Sequence, residues 1–212
     1  MKKLLVSVFL LSLVNLSANG SIGYGLRGGI NFSSLGTVNE TFENYQLFGE
    51  PDSYFGFHVG GTSLIPFGSF FVQPELLFAS TGSFLRLEDI REEATIEDRV
   101  YFRAAFYKVD LPVILGYRYG PLRIMAGPVY SLMLGKTDDF EPGHMEVSFE
   151  QNLYTSSFAY QIGAGLGLGN LLLDLKFESG LTPMGNTVTI GDVTRTFDSR
   201  PRQVILSIGL LF

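Results

Sequence analysis

From Tyr107 to Tyr117 every second residue is bulky and apolar: Tyr107, Val109, Leu111, Val113, Leu115 and Tyr117. Between and after them stand Lys108, Asp110, Pro112, Ile114, Gly116 and Arg118, mostly charged, small or special. Beyond Tyr119-Gly120-Pro121 the alternation resumes, with Leu122, Ile124, Ala126, Pro128, Tyr130, Leu132 and Leu134 on one face. A period of two belongs to strands whose faces meet different environments. Two such runs joined by a short turn predict an antiparallel hairpin. Each arm is long enough to cross a bilayer, which takes a tilted strand ~9–11 residues.

The same alternation predicts six further strands: Ile22 to Ser33, Tyr54 to Ile65, Phe70 to Gly82, Ser156 to Gly169, Leu171 to Leu181 and Arg202 to Phe212. Short connections at 66–69, 119–121 and 169–170 alternate with long polar segments at 34–53, 83–100, 136–155 and 182–201. The charged segment 83–100 fits either a helical excursion or long strand ends. Short turns on one side, long loops on the other and an even strand count are the layout of an outer-membrane barrel with both termini periplasmic. Pro74, Pro112 and Pro128 fall inside strands, where each removes a ladder donor, so local bulges are expected there.

Charge placement tests the barrel. All but four of the 21 acidic residues lie in the long segments. The four are Glu75, Asp110, Asp174 and Glu178, and the strand bases away from the outer ends are Arg27, Lys108, Arg118, Arg123 and Lys176. All nine share the face opposite the bulky apolar one, as a lipid-facing apolar wall requires: an Arg or Lys on the lipid side at mid-depth costs ~2–4 kcal/mol. A soluble sandwich would also segregate charge, but glycines decide between them. Gly23, Gly25, Gly29, Gly56, Gly60, Gly163, Gly165 and Gly167 sit on the charged face. Small residues there suit a narrow, curved lumen. The reading is an all-β, eight-stranded antiparallel transmembrane barrel. On it Leu175 faces lipid and Gly165 a polar lumen, so Leu175→Arg is expected to block assembly far more than Gly165→Ser.

Such a lumen is just wide enough for side chains. The nine charges are therefore expected to form an internal ion-pair network rather than a conducting file, because unpaired buried charge is costly.

Lys2 and Lys3, the apolar run Leu4 to Leu16 and the small residues Ser17 to Ser21 read as a cleaved secretory signal over residues 1–20. The run is short of the ~20 residues of a spanning helix. Residues 21–212 then form one barrel domain. The chain has no cysteine, which excludes a disulfide framework and Cys-ligated metal. With 46% hydrophobic residues, 25 Gly, 19 Phe and 10 Tyr, its composition suits a barrel.

No cofactor or metal site is expected. Gly163-Ala-Gly-Leu-Gly-Leu-Gly-Asn170 lacks the third glycine of a dinucleotide fingerprint, Leu168 standing there, and no helix follows. His144, Glu146 and Ser148 hold the residue types of a nucleophile set, as in a lipid-modifying enzyme, but one loop's spacing builds no triad. The acidic loops and the net charge of −6 argue against nucleic acid, which needs basic patches. No catalytic residue is assigned. A small-solute channel is the other alternative to a non-enzymatic barrel acting through its loops or as an accessory in envelope assembly.

Gly28-Gly29-Ile30-Asn31, Gln73-Pro74-Glu75-Leu76-Leu77, Val109-Asp110-Leu111-Pro112, Ala126-Gly127-Pro128 and the terminal Leu210-Leu211-Phe212 occur in that order. With this spacing the chain resembles the small outer-membrane β-barrel family of Bacteroidetes often called PorT-like. The resemblance implies an eight-stranded barrel in the outer membrane, amid lipid and lipopolysaccharide. It does not carry over the namesake's role in type IX secretion. Phe212 resembles the terminal aromatic signal read by the barrel-assembly machinery, and an envelope protein is a further expected partner.

Overall fold

The structure, a computed structural model, describes the backbone of residues 22–35, 39–42, 45–49, 54–89, 99–138, 149–153, 156–182, 185–190, 193–196 and 200–212. Residues 1–20 and His144, Glu146 and Ser148 lie outside the described residues. The strands are β1 (Gly23–Leu35), β2 (Asn39–Phe42), β3 (Tyr45–Gly49), β4 (Tyr54–Phe67), β5 (Phe70–Asp89), β6 (Arg99–Tyr119) and β7 (Leu122–Asp138). They continue with β8 (Phe149–Leu153), β9 (Ser156–Leu168), β10 (Leu171–Gly180), β11 (Gly185–Ile190), β12 (Val193–Thr196) and β13 (Pro201–Leu211).

Eight of them close into an antiparallel barrel. Around the wall run β1, β4, β5, β6, β7, β9, β10 and β13, each hydrogen-bonded to the next, and β13 returns to β1. The alternation inferred from sequence is the alternation of the wall. Leu26, Leu76, Leu115, Ile124, Ile162, Leu175 and Leu206 are exposed on the outside, and their neighbours in sequence point inward. Closure removes the sheet edges that an open sheet would leave unpaired.

Three two-residue turns join β4 to β5, β6 to β7 and β9 to β10. Each begins with a glycine at positive φ: Gly68 at 64°, Gly120 at 59° and Gly169 at 62°. The second turn residues Ser69, Pro121 and Asn170 are not left-handed. Glycine first with a right-handed second residue is the requirement of the II′ hairpin turn, whose twist matches the strands. The start of β1 and the end of β13 lie at this same end, since Gly25 pairs with Leu211.

The prolines do not cause bulges. At Pro74 the β4–β5 register is the same before and after, Thr62 facing Glu75 and Ile65 facing Val72. Pro112 is bracketed likewise by Pro74–Val113 and Leu77–Asp110, and Pro128 by Pro112–Val129 and Leu115–Ala126. Each proline interrupts the ladder toward the preceding strand and stays paired toward the next, as in Pro128–Tyr160. A missing N–H removes a rung, but the extended φ of proline fits a strand, so no extra residue is needed. The register shift of the wall falls instead between Tyr107 and Lys108.

At the far end the strands outrun the predicted barrel. Ser83 to Glu88 pair with Arg99 to Ala104, so both flanks of the charged segment are strand ends; residues 90–98 lie outside the described set. The other long segments also contain strands. β2 and β3 form a hairpin added to the extension of β5, and β12, β11 and β8 form a separate three-stranded sheet. Polar composition had marked these stretches as loops. Backbone groups still need partners, and pairing supplies them whatever the side-chain pattern.

Several inner glycines, such as Gly25, Gly29, Gly60 and Gly165, stand where a Cβ would meet a neighbouring strand. A Cβ on Gly165 would collide with the Asp174 carboxylate and the Leu173 carbonyl, whereas one on Gly167 would meet Arg123 Cδ at an ordinary 3.5 Å. Leu175→Arg is expected to abolish assembly, with the folded, heat-modifiable band lost on gels. Gly165→Ala should assemble with a stability loss of ~1–3 kcal/mol, the usual cost of overpacking. Gly167→Ala should be near neutral. Equal tolerance of Leu175→Arg and Gly167→Ala would contradict the assigned faces.

Candidate functional site

The lumen is the one place where chemistry-bearing side chains converge among the described residues. Its floor, next to the turns, is apolar: Leu64, Phe71, Ile114 and Met125 pack together with Leu211 against them. Gly116 makes room for this floor, because any Cβ there would enter the Phe71 ring. The Arg123 guanidinium lies over that ring, 4.6 Å from its centroid, a cation–π geometry.

Above the floor stands a first charged group. Arg27 pairs with Asp174 and, at 3.2 Å, with Glu75 Oε1. Lys176 Nζ is 3.3 Å from Glu75 Oε2, and Arg123 Nη1 is 3.4 Å from Asp174 Oδ1. Gln73 links the two sides, accepting from Arg123 and donating to Glu75. A second group lies nearer the extended end. There Lys108 Nζ reaches Asp110 Oδ2 at 3.0 Å and Glu178 Oε1 at 3.4 Å. Ser131 donates to Asp110, and Gln161 and Gln203 donate to Glu178 at 2.7 and 2.6 Å. Asn31, hydrogen-bonded to Gln203, caps this layer.

Eight of the nine charges expected in the lumen meet there, all buried. Arg118 does not join them. It sits beside the turn, half-buried, with its guanidinium 3.4 Å from the Gly68 carbonyl. It is the cross-strand partner of Arg123, but its guanidinium turns to the mouth while that of Arg123 lies over Phe71. Without Arg118 the buried set is four acids and four bases. The first group has three bases and two acids, the second one base and two acids, so each carries one charge of opposite sign and the column as a whole is neutral.

Sequence reasoning missed the amides. Gln73, Gln161, Gln203 and Asn31 share the inward face with the charges, and that shared parity was the available signal. It also missed a buried contact of His58 Nε2 with Ser207 Oγ at 2.9 Å. At 5% and 2% exposure these two have no approach for a substrate, so the pair is part of the wall. The described residues contain no cluster of three or more His, Cys, Asp or Glu able to hold a metal. A groove of about 650 Å³ is lined mainly by outward side chains such as Leu115, Ala126 and Ile162, and so opens toward lipid rather than along the barrel axis.

Glu178 is the acceptor of three donors, so its charge should matter most for closure. Glu178→Gln is expected to lower unfolding stability by ~3–5 kcal/mol, the usual result of stranding a buried partner. Arg118→Gln, at the mouth, should change it by ~0–1 kcal/mol. Urea titrations of the refolded protein in detergent measure both, and similar midpoints for the two would mean that the lumen network does not hold the barrel.

The profile of the "Outer membrane protein beta-barrel domain" family matches residues 15–186. Among solved structures, the outer membrane protein OprG from Pseudomonas aeruginosa superposes with a TM-score of 0.53 at 11% identity, over 92% of this chain and 98% of that one. Neisserial surface protein A gives a TM-score of 0.45 at 12% identity, over 91% and 100%. No curated protein sequence matches the chain. At 11% identity the OprG structure speaks for the fold alone, and the match of the family profile to most of the sequence gives the membership: the chain belongs to the outer membrane protein β-barrel domain family.

Proposed function

We propose that this chain is a non-enzymatic, closed-lumen barrel of the outer membrane whose work is done by its extended strand ends, as a surface element or an accessory in envelope assembly. The observation that carries this reading is the filled lumen: an apolar floor of Leu64, Phe71, Ile114 and Met125 beneath a neutral column of eight paired charges. An open aqueous channel needs a continuous polar path, and a floor of buried apolar side chains interrupts it. The two-residue turns and both chain ends face the periplasm in this reading, and β5, β6, β2 and β3 project outward. Their surroundings are lipid and lipopolysaccharide, and their ligand is an envelope protein. Phe212, 75% exposed at the end that holds the turns, is accessible as an assembly signal for the barrel-assembly machinery. The Gln73–Leu77, Val109–Pro112 and Ala126–Pro128 motifs support a place within the PorT-like branch of Bacteroidetes, without its namesake's secretion role.

Planar-bilayer recording tests the closed lumen. The refolded protein is expected to insert without stepwise conductance, and Glu178→Gln should leave the current at baseline while lowering stability. Steady ion-selective steps from the unmodified protein, altered by that substitution at unchanged stability, would replace this reading with a pore.

A further inference from the structure

Two buried amides in the lumen are turned by their partners. Asn31 Nδ2 donates to the Ser80 carbonyl at 2.8 Å and to Gln203 Oε1 at 3.2 Å. Gln161 Nε2 donates to the Glu178 carboxylate at 2.7 Å. A carbonyl and a carboxylate only accept, so in each amide the NH₂ must lie on that side and the carbonyl oxygen on the other. Asn31 Oδ1 and Gln161 Oε1 are thereby left over. Among the described residues neither has a hydrogen-bond partner, although Asn31 is 2% and Gln161 3% exposed.

Both residues line the same small cavity, together with Asp110, His58, Lys176 and Gln203. Its volume, as room for the centre of a water-sized sphere, is about 10 Å³. That is roughly the space of one such sphere, about the least that holds a water molecule, which also needs two to four polar partners. We propose that this cavity is a binding site for a single structural water, which donates one hydrogen to Asn31 Oδ1 and the other to Gln161 Oε1.

Charge favours water over a cation of similar size. The eight lumen charges already balance over the whole column, and the one acid that lines the cavity, Asp110, is already paired with Lys108, while Lys176, held by Glu75, lines it too. A bound cation would leave one uncompensated positive charge in a closed interior. The water also has a structural consequence. Asn31 belongs to β1 and Gln161 to β9, which are separated around the wall by β13 and β10. One molecule thus ties strands that share no ladder, and joins the amide cap to the amide that holds Glu178.

A high-resolution crystal structure of the refolded protein, grown in parallel from sodium chloride and from choline chloride, tests the site. A single density peak at ~2.7–3.2 Å from both oxygens, present in both salts, is the expected result. No peak, or a peak touching only one of the two oxygens, overturns the bridge. A peak confined to the sodium crystals overturns it in favour of a cation. Thermal unfolding at constant ionic strength reads the same distinction without crystals: equal midpoints in the two salts are expected, and a rise that saturates with sodium overturns the water.

Discussion

Closing eight strands into one barrel leaves an interior just wide enough for side chains, and the rest of the molecule answers to that limit. A charge deep on the inner face cannot reach bulk water, so it must find its opposite across the lumen. Arg27 on β1 reaches Asp174 on β10 and Glu75 on β5, and Lys108 on β6 reaches Glu178 on β10. These pairs connect strands that are not neighbours in the wall. They act as cross-braces inside a cylinder otherwise held by ladder hydrogen bonds. The inner glycines belong to the same constraint, since Gly165 leaves the room that the Asp174 carboxylate occupies.

Neutrality is achieved over the whole column rather than within each group. The group near the floor holds one base in excess and the outer group one acid in excess. Amides fill the gaps, with Gln73 between Arg123 and Glu75 and with Gln161 and Gln203 on Glu178. An amide offers both donors and an acceptor without adding charge, which suits an interior where each added charge would need another partner. The apolar floor below completes the closure, with Arg123 lying over Phe71 at the boundary between the two.

The wall accepts departures that simple strand rules disfavour. Pro74, Pro112 and Pro128 each break the ladder on one side only, and the intact ladder on the other side keeps the register. In a closed sheet every strand has two neighbours, so losing a rung toward one does not free the strand. Beyond the closed wall β5 and β6 continue as a ribbon, and there the second neighbour of β5 is β3, which brings β2 with it.

Strand number, facing and turn positions were legible in the sequence because lipid outside and a polar lumen inside impose a strict period of two, and a lipid-exposed charge is too costly to be hidden by context. That is why Leu175 and Lys176, or Val109 and Asp110, could be assigned to faces from their neighbours alone. Which lumen charges meet was not legible. Parity places Arg118 and Arg123 on one face and the register pairs them, yet the Arg118 guanidinium ends at the mouth and that of Arg123 over Phe71, a difference of side-chain direction that parity does not carry. The strands within the long polar segments were also hidden, since outside the membrane no second solvent enforces alternation and pairing is decided by the backbone of a neighbouring strand. Sequence determines the side of the wall; depth, partner and register across the lumen exist only once the barrel is closed.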